Sequence, residues 1–87
     1  MLSLSDSALK DALNARGYRA TPQRQKVLSI FMELTQGEHL SAEDLHNLLE
    51  ADGERISLST VYRTLHLMVY MGLLRELELA EGHKHYE

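Results

Sequence analysis

Eighty-seven residues suffice for one domain, burying roughly 60–65% of the surface its unfolded chain exposes. A hydrophobic content of 44% and a charged content of 25% exclude a disordered or fibrous chain, and no apolar run is long enough to span a bilayer. With no cysteine there is no disulfide or thiolate zinc site, without a basic and apolar leader the default compartment is the cytoplasm, and a net charge of −4 disfavours nucleic acid until its distribution is read.

The first helix is expected over residues 5–16, where Ala8, Leu9, Ala12 and Leu13 recur with helical period and Gly17 suits the position just past the end. Tyr18 to Ala20 is a short connection. Thr21-Pro22 then starts a second helix, an N-cap hydroxyl followed by proline at the first helical position. Its apolar face is Val27, Leu28, Ile30, Phe31 and Leu34, and Gly37 ends it. Ser41 caps a third helix and Asp44 completes a capping box; Ala42, Leu45, Leu48 and Leu49 are its core positions, and Gly53 closes it. Ser57 or Ser59 caps a fourth helix that Gly72 stops, with Leu58, Val61, Leu65, Met68 and Val69 as its core stripe. Beyond Gly72 the period changes from helical to alternating. Leu73 to Leu79 reads as a strand with one wet face, Ala80-Glu81-Gly82 as a turn, and His83 to Glu87 as the returning strand. Two strands alone are marginal, so the hairpin must pack on helices. The expectation is a mainly α fold with a small β-hairpin, a winged helix-turn-helix in the order α-α-α-α-β-β, with residues 1–87 forming one domain.

Charge is segregated along the chain. Residues 16–32 carry Arg16, Arg19, Arg24 and Lys26 and no acid, whereas residues 33–54 carry acids and no base. Residues 55–75 carry Arg55, Arg63 and Arg75 and again no acid. Phosphate binding depends on a local patch rather than on the total. The fourth helix, about residues 58–71, opens with Ser59, Thr60, Tyr62 and Arg63 and ends apolar. A helix with its polar groups crowded at the N-terminus suits the DNA major groove. Tyr62 and Arg63 lie one and two steps round from Val61, off the core stripe. An arginine can pair with guanine O6 and N7, and an aromatic ring can pack on a thymine methyl. Ser59 and Thr60, at the helix start, suit phosphate. Arg19 and Arg24 flank Thr21-Pro22 and are further phosphate candidates; Lys26 and Arg16, and Lys84 and Arg75 in the wing, are weaker ones. The plain alternative is a solvated face, with Tyr62 packed on the preceding helix and Arg63 in a surface ion pair.

His83, His85 and Glu87 share one side of the last strand, a plausible but unspecific divalent-metal arrangement. Catalysis finds little support. There is no cysteine nucleophile and no Gly-rich phosphate loop, and Ser41, Asp44 and His46 sit on a single helix with no sign of a pocket.

The segments RGYRATPQRQKVL, HLSAEDLHNLL, ISLSTVYRTLHLM and GLLRELE resemble the N-terminal half of the ferric uptake regulator family, from about Asp11 to Glu87. T-P-Q-R and S-x-x-T-V-Y-R-T-L are specific in combination. The resemblance implies a dimeric, metal-dependent transcription repressor that binds an inverted-repeat operator in double-stranded DNA. It places Tyr62 and Arg63 in the major groove and Arg19 near the minor groove. It also implies a regulatory metal site, for zinc or iron, to which His39 and Glu87 belong; further ligands come from a hinge beyond residue 87. His83 and His85 match no ligand of that site. The C-terminal dimerisation and metal domain is missing from this sequence. The chain alone is therefore expected to bind metal poorly, to be monomeric or weakly associating, and to have no membrane partner. A winged helix used only for protein–protein interaction is the alternative.

Overall fold

The computed structural model describes residues 6–79 and 82–87. The elements run α1 (Asp6–Ala15), α2 (Pro22–Met32), α3 (Ala42–Ala51), α4 (Leu58–Tyr70), β1 (Glu76–Leu79) and β2 (His83–Tyr86). This is the winged helix-turn-helix order. None of the described helices is long and apolar enough to cross a membrane. The chain divides into two compact units, Met1–Gln36 and Gly37–Glu87.

In the first unit α1 packs on α2. Leu13, Val27, Leu28 and Phe31 are buried, while Ala12 is half-buried. The expected contributions of Ala8 and Leu9 lie outside the described side chains. Thr21 caps α2, its hydroxyl accepting the Arg24 N–H at 3.2 Å, with Pro22 following where no amide hydrogen is needed. The helix ends at Met32, earlier than the apolar pattern suggested, and Leu34 falls in the connection as a half-buried residue. Leu34 still keeps a backbone bond to Phe31 at 3.2 Å, so the last turn tightens and unwinds well before Gly37.

The second unit holds the helix-turn-helix and the hairpin. Ser41 and Asp44 form the capping box at the start of α3, with reciprocal bonds of 3.1 and 3.0 Å. The helix closes with a Schellman motif. Glu54 N–H bonds to Leu49 O at 2.9 Å and Gly53 N–H to Glu50 O at 3.0 Å. The motif demands a left-handed residue, and Gly53 has φ 86°. The same pair of bonds closes α4 through Leu73 and Gly72, and α1 through Tyr18 and Gly17. Ser57, not Ser59, caps α4, its hydroxyl accepting from Thr60 N–H.

Other core assignments change as well. Leu48 is 45% exposed and Leu58 37% exposed, and Ile30 and Val69 are only half-buried. Ala42, Leu45 and Leu49 define the buried arc of α3, and Leu48 lies about 100° round from Leu49. On α4 the buried residues are Val61, Thr64, Leu65 and Met68, the i, i+3, i+4, i+7 set. Thr64 belongs to that set by position, although its hydroxyl hid it from a reading of apolar residues.

The strands form one antiparallel ladder, Glu76 opposite Tyr86, Leu77 opposite His85, Glu78 opposite Lys84 and Leu79 opposite His83. The first strand starts at Glu76 rather than Leu73. Leu73 completes the cap of α4 and Leu74 is buried, so neither is free to alternate. The expected turn at Ala80-Glu81-Gly82 falls largely outside the described residues. Most of the hairpin is wet. Its anchor is Tyr86, fully buried, whose backbone bonds to Leu40 in both directions at 2.7 and 2.9 Å. Leu40, two residues ahead of α3 in the chain, thus makes an isolated antiparallel bridge to the hairpin, a pairing with no signal in the local sequence.

Candidate nucleic-acid interface and metal-ligand pair

The start of α4 is built by its own cap. Ser57 Oγ lies 2.9 Å from Thr60 Oγ1 and 3.2 Å from Ser59 Oγ. Thr60 Oγ1 in turn accepts from Arg63 Nη2 at 3.0 Å. One hydroxyl cluster therefore holds the guanidinium over the first turn. Val61 and Leu65 are sealed at 0% exposure, while Arg63 is exposed nearly opposite them, about 200° round the axis from Val61. Arg63 makes no carboxylate pair among the described residues, so the ion-pair alternative is absent.

Tyr62 stands beside this cluster, half-exposed. Its hydroxyl donates to Glu43 Oε1 on α3 at 2.8 Å. That bond holds the Glu43 carboxyl below the usual 4.5 and the Tyr62 phenol above the usual 10.0. The half-exposed Tyr62 ring is thus held to the preceding helix α3, as the alternative reading expected of it, with one side still open. His46, also on α3, reaches into the turn of the helix-turn-helix: its Nε2 lies 2.9 Å from Ile56 O and 2.9 Å from Glu50 Oε1. Both partners are acceptors, so Nε2 carries the proton. This ties α3 to the residue just before the Ser57 cap. Glu43 and His46 were not singled out as partners by the sequence; no local spacing pairs them with residues 62 and 56.

In the first unit Arg24 Nη1 donates to the carbonyl of Arg19 at 2.9 Å, and Gln25 Nε2 to the carbonyl of Ala20 at 3.1 Å. The turn before α2 is thereby tied to the helix, with the Arg19 side chain exposed. The wing cations differ. Lys84 pairs with Glu76 at 3.3 Å and Arg75 with Glu87, so both are partly neutralised by their own hairpin.

The two residues expected at a metal site part company. Glu87 meets Arg75, whereas His39 meets His85, their Nδ1 atoms 2.9 Å apart and their rings edge to face. Among the described residues no three His, Cys, Asp or Glu side chains converge on one point. Two imidazole nitrogens facing each other are nonetheless a donor set suited to zinc, iron or a similar ion.

Residues 15–87 match the model of the ferric uptake regulator family. The chain is 65% identical over 86 residues to the ferric uptake regulation protein of Synechocystis and 59% identical to that of Synechococcus elongatus, covering 99% of this chain and 52% and 58% of those proteins. It thus spans little more than half the length of the relatives it matches. Among solved structures it resembles the Vibrio cholerae ferric uptake regulator, with a TM-score of 0.76 and 34% identity, over 94% of this chain and 59% of that one. These relatives are regulators, not enzymes. The winged helix, the matched segment and this degree of identity agree, and the chain belongs to the ferric uptake regulator family.

Proposed function

We propose that this chain is the sequence-specific DNA-binding part of a cytoplasmic, metal-responsive transcriptional repressor. Helix α4 enters the major groove of an inverted-repeat operator, and Arg63 and Tyr62 read base edges there. Ser59, Thr60 and the helix N-terminus take phosphate, and Arg19 and Arg24 hold the backbone. The observation that carries this reading is the orientation of α4: Arg63 is exposed opposite the sealed Val61 and Leu65.

The physical consequences follow from the site. The Thr60 bond limits the wandering of the Arg63 side chain before it meets a base, which lowers the ordering cost of binding. Glu43 aligns Tyr62 but brings a negative charge close to where phosphates would lie. Binding by one chain is therefore weak and steeply salt-dependent, and a homodimer supplies the missing affinity by engaging both half-sites.

In the whole protein His39 and Glu87 belong to a regulatory site for zinc or iron. A bound divalent ion supplies positive charge and fixed bonds that link metal supply to the conformation of the dimer. In this chain the ligands present are the His39 imidazole, with its Nδ1 facing a second imidazole, and the Glu87 carboxylate, drawn to Arg75. Such an incomplete set binds metal weakly.

The test is Arg63→Ala. A duplex selected by the parent chain from a random library is compared with a scrambled duplex at low and moderate salt. The variant is expected to lose discrimination while keeping salt-dependent, non-specific binding. Undiminished discrimination overturns the role of Arg63. Absence of any DNA binding at low salt overturns the DNA-binding reading and favours a protein-interaction module.

A further inference from the structure

We propose that His85 is a metal ligand of this chain, acting with His39 through the two Nδ1 atoms to hold a divalent transition ion. The inference rests on the reading of His39 as a ligand and adds to it a residue for which the family resemblance supplies no role.

The backbone brings the pair together. The Leu40–Tyr86 bridge locks the residue before α3's approach to the end of β2. Side chains alternate along β2, so His85 and Glu87 point away from the face on which Tyr86 is buried. His39, one residue from the bridge, meets His85 there, with ring centroids 4.7 Å apart and planes at 89°. Both rings are half-buried, so little side-chain freedom remains to be lost on binding.

The separation is close to what a metal needs. Two nitrogens each bonded at 2.0–2.1 Å to a tetrahedral ion stand about 3.3–3.4 Å apart. The observed Nδ1 separation is 2.9 Å, so the rings need open by only about 0.4 Å. Without metal, one Nδ1 holds a proton and the other accepts it. A metal takes the place of that Nδ1 proton; the neutral ring gives it to solvent and takes one up at Nε2, so each imidazole binds the ion uncharged. Imidazole donors select zinc, cobalt, iron, nickel or copper over magnesium or calcium. His83 differs: it is exposed, opposite Leu79 on the outer part of the hairpin, and makes no ring contact with His39.

The probes are Co2+ and Zn2+ added to the 87-residue chain. Visible absorption reports Co2+ ligand geometry, and calorimetry reports Zn2+ affinity. Proton NMR of the parent with Co2+ is expected to show strongly shifted ring signals from both His39 and His85. Magnesium is expected to produce no such shifts. His85→Gln and His85→Ala, checked for folding by circular dichroism, are expected to weaken both ions about tenfold or more, at least what loss of an outer-shell partner costs. His83→Ala should leave them unchanged. Loss in His39→Ala with full retention in both His85 variants sinks the role of His85 while sparing His39. Retention in every variant, or ring signals unshifted in the parent, overturns both.

Discussion

Tyr86 carries the one buried side-chain oxygen that finds no hydrogen-bond partner among the described residues. Its ring is fully buried and its main chain anchors the hairpin to Leu40. Burial also raises its phenol above the usual 10.0, with Glu76 adding to the effect. Tyr86→Phe removes the hydroxyl and nothing else. The ring keeps its packing, and both backbone bonds remain because they do not involve the side chain. A buried, unpaired polar group costs about 1–3 kcal/mol, and the small void left by one oxygen offsets part of that. The net expectation is a gain of about 1 kcal/mol, which for a domain of this size raises the unfolding midpoint by about 4–8 °C. The measurement is thermal unfolding followed by far-ultraviolet circular dichroism, paired with a urea titration to confirm that the slope is unchanged. A Tyr86→Ala control should lose about 3–5 kcal/mol, a large part of the stability available to 87 residues. If Tyr86→Phe instead lowers stability by about 1 kcal/mol or more, the hydroxyl has a partner and the reasoning fails.

Two further outcomes follow from the helix-turn-helix. Tyr62→Phe removes the main cause of the lowered Glu43 ionisation, so the NMR titration midpoint of the Glu43 carboxyl should rise back toward 4.5. By linkage, the parent holds extra stability above that value and loses it as pH falls through the lowered folded midpoint, a loss the variant should lack; identical Glu43 titrations in both would show that Tyr62 is not its partner in solution. At Gly53, with φ 86° and nothing within 4 Å of an added Cβ, Ala introduces only left-handed strain. Gly53→Ala should therefore cost about 1–2 kcal/mol in a urea melt, and an unchanged midpoint would mean that the turn readily takes another form.

Features that span a few residues were legible. Thr21-Pro22, Ser41 with Asp44, and the glycines at 17, 53 and 72 act through bonds reaching at most five positions, so spacing alone exposes them. The outward side of α4 was legible for the same reason, because helical period carries Val61 inward and Arg63 outward whatever surrounds them. Periodicity failed where burial depended on a neighbour's extent. Leu48 and Leu58 are as apolar as Leu45 and Leu65, yet they stand at the margin of what covers each helix. It failed again at Leu73 and Leu74, where closing α4 took precedence over alternation.

The chain's own order of residues was enough to dictate the element order, the winged topology and the outward face of the fourth helix. It did not dictate partners. Tyr62 meets a carboxylate 19 positions away, and His39 an imidazole 46 positions away. Those encounters exist because the helices and the Leu40–Tyr86 bridge fold distant segments against each other, and a contact between distant segments leaves no periodic trace in either one.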